Sequence, residues 1–322
     1  MVKYEERGIA VKKKNVFVSS VSSKIPLLSC LKESIPNYGL IGGDSSGQVV
    51  SRFFLDCFWE MPSMDQLTYE VFFEYCQAKG IKYIIPTREG ELLFFAKWRE
   101  RLLAEGIHVM VSSEEAIRCA SDKLVFATYL EKRKYPVIPT STSVDSFSEN
   151  IFVVKERYGS GSSGLYLNVS RQEVDKVAQY LQYPIIQPFI QGREYSIDVY
   201  VTADCKAKGA VVRERVVVVN GESQVTSTLR NEQLEQLAME VAETLHLYGH
   251  IMFQVIVDEM NQPHIVECNP RFGGASTLSV RAGLDSFRWF IAESDGGNLD
   301  KLPFQRVEKS LTQVRFAKDL II

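Results

Sequence analysis

Two neighbouring segments in the last third of the chain carry polar side chains that could bind a metal ion. Gln254 lies in the apolar run GHIMFQVIVDE, and Glu267 and Asn269 lie in the run HIVECNPRFGG. The turn-rich residues DEMNQP between the two runs predict a hairpin. Since paired residues in an antiparallel ladder keep a constant index sum, pairing Asp258 with Pro263 places Gln254 opposite Glu267.

The same hairpin brings further polar groups together. Asn269 lies two residues beyond Glu267 and therefore points to the same face of the strand. Oxygen donors with little charge suit Mg²⁺, which takes its remaining ligands from phosphates and water. Arg271 follows the strand, and its planar guanidinium suits a phosphate or a carboxylate. Each residue alone has an ordinary structural interpretation, but the combination favours a site for a metal ion and a phosphate.

A lysine and a glycine-rich loop could contact nucleotide phosphates. Lys155 ends the apolar run IFVVK, and the loop RYGSGSSG follows it. The backbone N–H groups and hydroxyls of such a loop can bind phosphate, although no Walker sequence closes it. A flexible hairpin loop is an equally good interpretation. The loop residues concerned are Gly159, Ser160, Gly161, Ser162, Ser163 and Gly164.

A segment punctuated by proline and glycine, QPFIQGRE, joins two predicted lobes. Hinges between lobes often bind flat ligands, whose edges contact backbone groups. Glu194 ends this segment and could accept a hydrogen bond from a ribose hydroxyl. Taken alone, the segment is better explained as an ordinary linker.

The elements that must position these residues fall into three parts. Over residues 1–117, apolar strands alternate with helices, which predicts a doubly wound parallel sheet, a Rossmann-like lobe. Residues 118–190 predict a compact α+β lobe with the glycine-rich loop. Residues 191–322 predict a strand-rich lobe that carries the hairpin. The expected fold class is therefore α/β followed by α+β.

Composition excludes several classes of function. The 322 residues are 45% hydrophobic and 24% charged, with a net charge of −3, so no nucleic-acid surface is expected; the basic run at residues 12–14 is interpreted as solvated. Six scattered cysteines and four histidines show no zinc spacing. No apolar run approaches the ~20 residues that span a bilayer, and the first ten residues are too polar for a signal peptide. We expect a cytoplasmic protein without membrane or nucleic-acid partners, and leave a homodimer open.

In chain order, these motifs resemble those of the ATP-grasp superfamily. The resemblance is closest to the synthetase modules of the carbamoyl phosphate synthetase large subunit and their single-module relatives. It is carried by CASDKLVFATYLEKRKYPVIPT, VVKERYGSGSSGLYL, QPFIQGREYSID and FQVIVDEMNQPHIVECNPRFGGAS. The resemblance implies an ATP-grasp fold behind an N-terminal Rossmann-like lobe, with ATP and Mg²⁺ (or Mn²⁺) as cofactors.

The resemblance also implies a role for each motif. The implied ATP contacts are Lys123, Lys155, the loop from Gly159 to Gly164, Gln187, Pro188, Phe189, Ile190, Glu194 and Gln254. The implied metal ligands are Gln254, Glu267 and Asn269. Arg271 would contact the transferred phosphoryl group, together with Arg213 or Arg215, between which the sequence does not decide. Gln187 and Gln254 stand where many members have an acid.

The implied chemistry is activation of a small-molecule carboxylate as an acyl phosphate, followed by attack of an amine. One synthetase module without a glutaminase part argues against carbamoyl phosphate synthesis itself. An enzyme of the same fold that phosphorylates or carboxylates, and a non-catalytic nucleotide-binding regulator, remain alternatives. Candidate substrate contacts, for which surface or capping roles are equally good explanations, are Thr87, Arg88, Glu89 and Arg281.

Overall fold

The computed structural model describes residues 14–159, 161 and 164–321. In chain order, the strands in these residues are β1 (Asn15–Ser19), β2 (Gly39–Asp44), β3 (Cys57–Glu60), β4 (Ile81–Ile85), β5 (His108–Val109), β6 (Ile151–Glu156), β7 (Leu165–Ser170), β8 (Pro184–Pro188), β9 (Gly192–Val201), β10 (Ala207–Val219), β11 (Glu222–Leu229), β12 (Gly249–Asp258), β13 (Pro263–Asn269) and β14 (Thr312–Val314). The α-helices are α1 (Ile25–Ser34), α2 (Tyr69–Lys79), α3 (Glu89–Ala104), α4 (Glu114–Ser121), α5 (Lys123–Glu131), α6 (Val174–Ala178), α7 (Glu232–Thr244), α8 (Ser276–Arg281) and α9 (Ser286–Ser294).

The N-terminal lobe is a five-stranded parallel sheet in the order β3-β2-β1-β4-β5. Its central strand, NVFVS, is almost wholly buried, as expected where helices cover both faces of a parallel sheet. Helix α2 begins after Thr68, whose side chain caps it, and ends at Gly80 in the left-handed conformation. The predicted Rossmann-like lobe is therefore confirmed.

The small lobe is a three-stranded antiparallel sheet, β7-β6-β8, packed on α6. Alternation along β6 decides what each face carries, because successive side chains point to opposite sides. Phe152 and Val154 enter the lobe's own core, whereas Lys155 lies on the other face. On β8, Gln187 pairs with Val153 and so shares the face of Lys155.

The large lobe is a six-stranded antiparallel sheet in the order β13-β12-β9-β10-β11-β14. Helix α7 covers one face, and α4 and α5 join the same core. A further core joins the N-terminal lobe to the helices after β13. Its members on the two sides include Val16, Val18, Leu27, Leu31, Phe272, Leu284, Phe287, Trp289 and Phe290.

The structure also bears on two expectations from composition, the one about the basic run and the one about membrane spans. Of the basic run, residues 12 and 13 lie outside the described residues, and Lys14 pairs with Asp295 at 2.7 Å. Throughout the described ranges, each helix is too short or too polar to cross a bilayer.

Candidate active site

The hairpin of β12 and β13 holds the predicted metal ligands. Gln254 pairs with Glu267 across the ladder, so this prediction is confirmed. Nearer the turn, Pro263 faces Val257, so its predicted pairing with Asp258 is wrong by one residue. A bulge after Gln254 explains the difference, because an extra residue on β13 shifts the register between the turn and the site.

Polar side chains beyond this pair form a continuous row. Nδ2 of Asn269 donates to Oε1 of Glu267 at 2.9 Å, and Nη2 of Arg271 donates to Oδ1 of Asn269 at 3.1 Å. Among the described residues, no group of three or more histidines, cysteines and acids could hold a metal by itself. One carboxylate with two amides instead fits Mg²⁺ that is bound together with nucleotide phosphates. The metal-ligand assignment stays a prediction.

Two lysines face the glycine-rich loop. Lys155 is only 7% exposed, and burial lowers its pKa to about 8, although Glu267 and Glu194 partly oppose this shift. Lys123 begins α5, and its Nζ donates to the carbonyl of Gly159 at 2.7 Å. The buried ammonium group of Lys155, by contrast, has no hydrogen-bond partner among the described residues. Such a group suits an anionic ligand such as a phosphate.

The base of the loop is fixed by Asp122. Its carboxylate caps α5 and accepts two hydrogen bonds from Arg157, at 2.7 and 2.6 Å. Burial would raise the pKa of Asp122, but the bonds from Arg157 outweigh it and hold that pKa below its ordinary value. Gly159 and Gly161 have φ of +99° and +78°, which only glycine adopts readily. Three predicted loop contacts, Ser160, Ser162 and Ser163, lie outside the described residues.

A cavity of about 610 Å³ lies between the small lobe and the large sheet. The predicted nucleotide contacts that line it are Lys123, Lys155, Gly159, Gly161, Gln187, Pro188, Phe189, Ile190, Glu194 and Gln254. Gly164 does not line it; a Cβ there would meet Leu181 at 2.8 Å, so this glycine packs beneath the loop. Within the cavity, Gln187 donates to Thr140 at 2.8 Å, and Glu194 pairs with Arg215 at 3.2 Å.

A second cavity, of about 740 Å³, lies between the N-terminal lobe and the large sheet. Its wall includes Thr87, Arg88 and Glu89, but not Arg281, which pairs with Glu33 on the surface. The side chain of Thr87 donates to the carbonyl of Ser19 and so also serves the N-terminal lobe. Residues that line both cavities are Tyr158, Gly159, Gly161, Arg215, Gly221, Gln254 and Glu267. The two cavities therefore meet at the Gln254–Glu267 pair.

Residues 120–275 match the family model described as an ATP-grasp domain. The chain carries an ATP-grasp domain. The large chain of carbamoyl phosphate synthase from Methanothermobacter thermautotrophicus is 25% identical over 250 residues, which cover 68% of this chain and 23% of that protein. The chain thus spans less than a quarter of that relative's length.

Solved structures extend the likeness beyond the ATP-grasp domain. The biotin carboxylase domain of Hydrogenobacter thermophilus 2-oxoglutarate carboxylase, solved with MgADP, ADP and bicarbonate, is 15% identical, with a TM-score of 0.71 over 92% of this chain and 71% of that chain. N5-carboxyaminoimidazole synthetase from Staphylococcus aureus, solved with ADP, is 17% identical, with a TM-score of 0.71 over 89% of this chain and 79% of that chain. At these identities the likeness shows the fold, and the predicted ATP-grasp fold with its N-terminal lobe is confirmed.

The two candidate arginines of the ATP-grasp site differ in their surroundings. Arg213 is 1% exposed, and its Nε donates to Oδ2 of Asp198 at 2.7 Å. Its Nη1 and Nη2 are buried without a hydrogen-bond partner in the described part of the chain. Arg215 lines both cavities, and its Nη2 donates to the carbonyl of Gly221 at 3.0 Å. Both arginines line the larger cavity, so the choice between them stays open.

A buried network behind Arg213 was not predicted from the sequence. Asp198 accepts from Ser276 at 2.6 Å and contacts Nε2 of His250 at 3.1 Å. Burial would raise the pKa of Asp198, but Arg213 and His250 lower it far below its ordinary value. A signal was present, since Asp198 and Arg213 each interrupt an apolar strand. Lys24, at the larger cavity, was missed as well.

Proposed function

We propose that the chain is an ATP-dependent ligase that activates a substrate carboxylate as an acyl phosphate for attack by an amine. One observation carries this proposal: Glu267 and Gln254 lie where two separate cavities meet. A nucleotide in the smaller cavity would then present its terminal phosphate to a substrate in the larger one. Sharing this boundary is what phosphoryl transfer between two bound molecules requires.

Several residues would support the transfer. Lys123 and Lys155 would neutralise the nucleotide phosphates, and Arg271 would contact the phosphoryl group as it moves. Gln254, Glu267 and Asn269 would hold Mg²⁺, which when bound neutralises negative charge on the transferring group; the same donors would accept Mn²⁺. The glycine-rich loop would keep water from the acyl phosphate.

The net reaction releases ADP and phosphate. The carboxylate oxygen takes the γ-phosphoryl group from ATP, and the amine nitrogen then attacks the acyl carbon and displaces phosphate. The resemblance supports the proposal, because the related biotin carboxylase domain was solved with MgADP and bicarbonate and the related synthetase with ADP. A cytoplasmic location and a homodimer are proposed alongside this activity.

A paired substrate screen tests the proposal. The purified protein with MgATP is mixed with one acid (an amino acid, lactate, malate, succinate, citrate or bicarbonate) and one amine (ammonia or an amino acid). We expect ADP release that depends on both partners. ADP release that needs the acid but no amine would contradict ligation and indicate a phosphorylating or carboxylating enzyme instead. Nucleotide binding without release across the panel would contradict enzymatic function.

A further inference from the structure

Lys24 lies at the wall of the larger cavity, between the carboxyl end of β1 and the start of α1. The loop that carries it is held in place by Asp44, which accepts a hydrogen bond from the backbone N–H of Ser22 at 2.9 Å. Ser20 adopts a left-handed conformation, with φ of 51°, at the point where the chain leaves the strand. The position of Lys24 is thus set by the backbone of a fixed loop.

The charges around Lys24 are not balanced. Its side chain is half-buried, and no described residue forms a hydrogen bond or an ion pair with its ammonium group. The strongest single charge acting on it belongs to Arg271, which is also positive. Burial, together with this repulsion, lowers the pKa of Lys24 to about 8.

The acids near Lys24 are already engaged. Glu91 accepts hydrogen bonds from the hydroxyls of Ser19 and Ser20 and from the backbone N–H groups of Thr87 and Arg88. Glu222 pairs with Arg315 at 2.6 Å. Both acids attract Lys24, but neither contacts it. Their carboxylates therefore hold other parts of the structure together.

Two arginines on the wall of the same cavity also have donors to spare. Arg271 uses Nη1 and Nη2 on the carbonyl of Phe272 and on Asn269, and its Nε is buried without a partner among the described residues. Arg213 lines the same cavity, and its two terminal nitrogens are likewise buried without a partner among the described residues. Like charges that line one partly buried cavity repel, and a bound anion would relieve this cost.

We propose that Lys24 and Arg271 together bind the carboxylate that receives the phosphoryl group, and that this carboxylate belongs to a small polar acid such as a hydroxy acid or an amino acid. This inference rests on the proposed function. Hydroxyl groups on the cavity wall support a polar acid, and those beyond the engaged Ser20 and Thr87 come from Ser22, Ser23, Ser121, Ser196 and Ser223. Apolar side chains on the wall are fewer: Met64, Leu93, Met252 and Ala275.

Steady-state kinetics test the role of Lys24 with the acid that gives the fastest ADP release in the screen. We expect Lys24→Met to raise KM for the acid by roughly tenfold or more, because a charge-assisted contact is lost, and to change KM for ATP less than about twofold. Lys24→Arg should restore most of the affinity for the acid. Lys32→Met, on the exposed side of α1, is the matched control and should behave as the wild type. An unchanged KM for the acid in Lys24→Met would overturn the inference.

Chemical labelling tests the same site without turnover. Acetic anhydride at pH 8 acetylates lysines, and mass spectrometry compares Lys24 with Lys32 in the same molecule. With MgADP present, malate, citrate or another acid of the panel should slow acetylation of Lys24 by about threefold or more and leave Lys32 unchanged. Equal labelling of Lys24 with and without every acid would refute the site. Protection of Lys24 without any ADP release would keep the site and refute the ligase proposal.

Discussion

Glu267 is the single carboxylate among the three predicted metal ligands. It accepts a hydrogen bond from Asn269 at 2.9 Å, and it lines both cavities. Glutamine in its place would keep the shape and the hydrogen-bond acceptor but remove the charge. The residue therefore allows the metal role to be separated from a role in folding.

We expect Glu267→Gln to lower ADP release by about 100-fold or more, since loss of even an outer-shell partner of a metal costs about 10- to 100-fold. A coupled assay measures ADP, and thermal unfolding checks that the fold is retained. Glu259→Gln, exposed in the turn of the same hairpin, is the control. Turnover near that of the wild type in Glu267→Gln would remove this residue from the metal site.

The buried charge of Lys155 destabilises the folded protein, although the same charge would help to bind the nucleotide. Burial lowers its pKa from 10.5 to about 8, so between these values the folded protein binds fewer protons than the unfolded chain. Below pH 8 the buried charge destabilises the fold in full, and the cost falls as the pH rises toward 10.5.

In nucleotide-free protein, Lys155→Met should therefore raise the free energy of unfolding at pH 7 by at least about 1 kcal/mol. The gain should shrink by pH 10, and the variant should lose affinity for ADP. Urea unfolding at both pH values and calorimetry with ADP make the comparison, with Lys32→Met as the control. A gain that does not change with pH would mean that the charge of Lys155 is not its source.

At the scale of elements, the Asp122–Arg157 pair connects the start of α5 with the base of the glycine-rich loop. Asparagine caps helices about as well as aspartate, but it cannot form the doubly hydrogen-bonded ion pair. We expect Asp122→Asn to weaken ADP binding about threefold to tenfold, and to lose the stability that the ion pair contributes while it keeps the helix cap. Asp122→Ala should lose, in addition, about 0.5–2 kcal/mol of stability with its cap. Calorimetry and urea unfolding separate the two effects, and normal ADP binding by Asp122→Asn would show that the pair does not serve the loop.

The sequence predicts elements well where short-range rules decide them. The parallel N-terminal sheet and the pairing of Gln254 with Glu267 follow from alternation and turn residues. The bulge beside that pair cannot be predicted in this way, because its extra residue, Val266, favours a strand as strongly as its neighbours do. Strand β11, ESQVTSTL, was not predicted, since six of its eight residues are polar and its pairing is long-range. Lys24 and Arg271 are almost 250 positions apart in the chain, and only the packing of the lobes brings them together.

At the scale of the whole molecule, the N-terminal lobe and the segment after β13 share one core. Phe287 is fully buried in it, stacks on Phe272 at 4.6 Å between ring centroids, and belongs to the same cluster as Val16 and Leu28. The matched ATP-grasp domain ends at residue 275, so this core lies largely outside it. Stability of the N-terminal lobe should therefore depend on residues far along the chain.

We expect Phe287→Ala to lower the free energy of unfolding by about 3–5 kcal/mol, the usual cost of a large cavity. Hydrogen exchange should become faster in β1 as well as in α9, because one core holds both. Val314→Ala, on an exposed side chain of β14, is the control. Unchanged exchange in β1 would show that the two segments unfold independently.

The shared core has a consequence for how the chain would choose its acid. The larger cavity is walled by two units that are packed on one another, whereas the smaller cavity is roofed by a lobe with a separate core of its own. Selectivity would then differ between the two cavities. The acid would bind in a preformed site, whereas the nucleotide would bind in a site that changes shape when the small lobe moves. Synthetic analogues of the acid that differ by a single methylene should be ranked by steric fit, so inhibitors aimed at this side would be more selective than those aimed at the nucleotide.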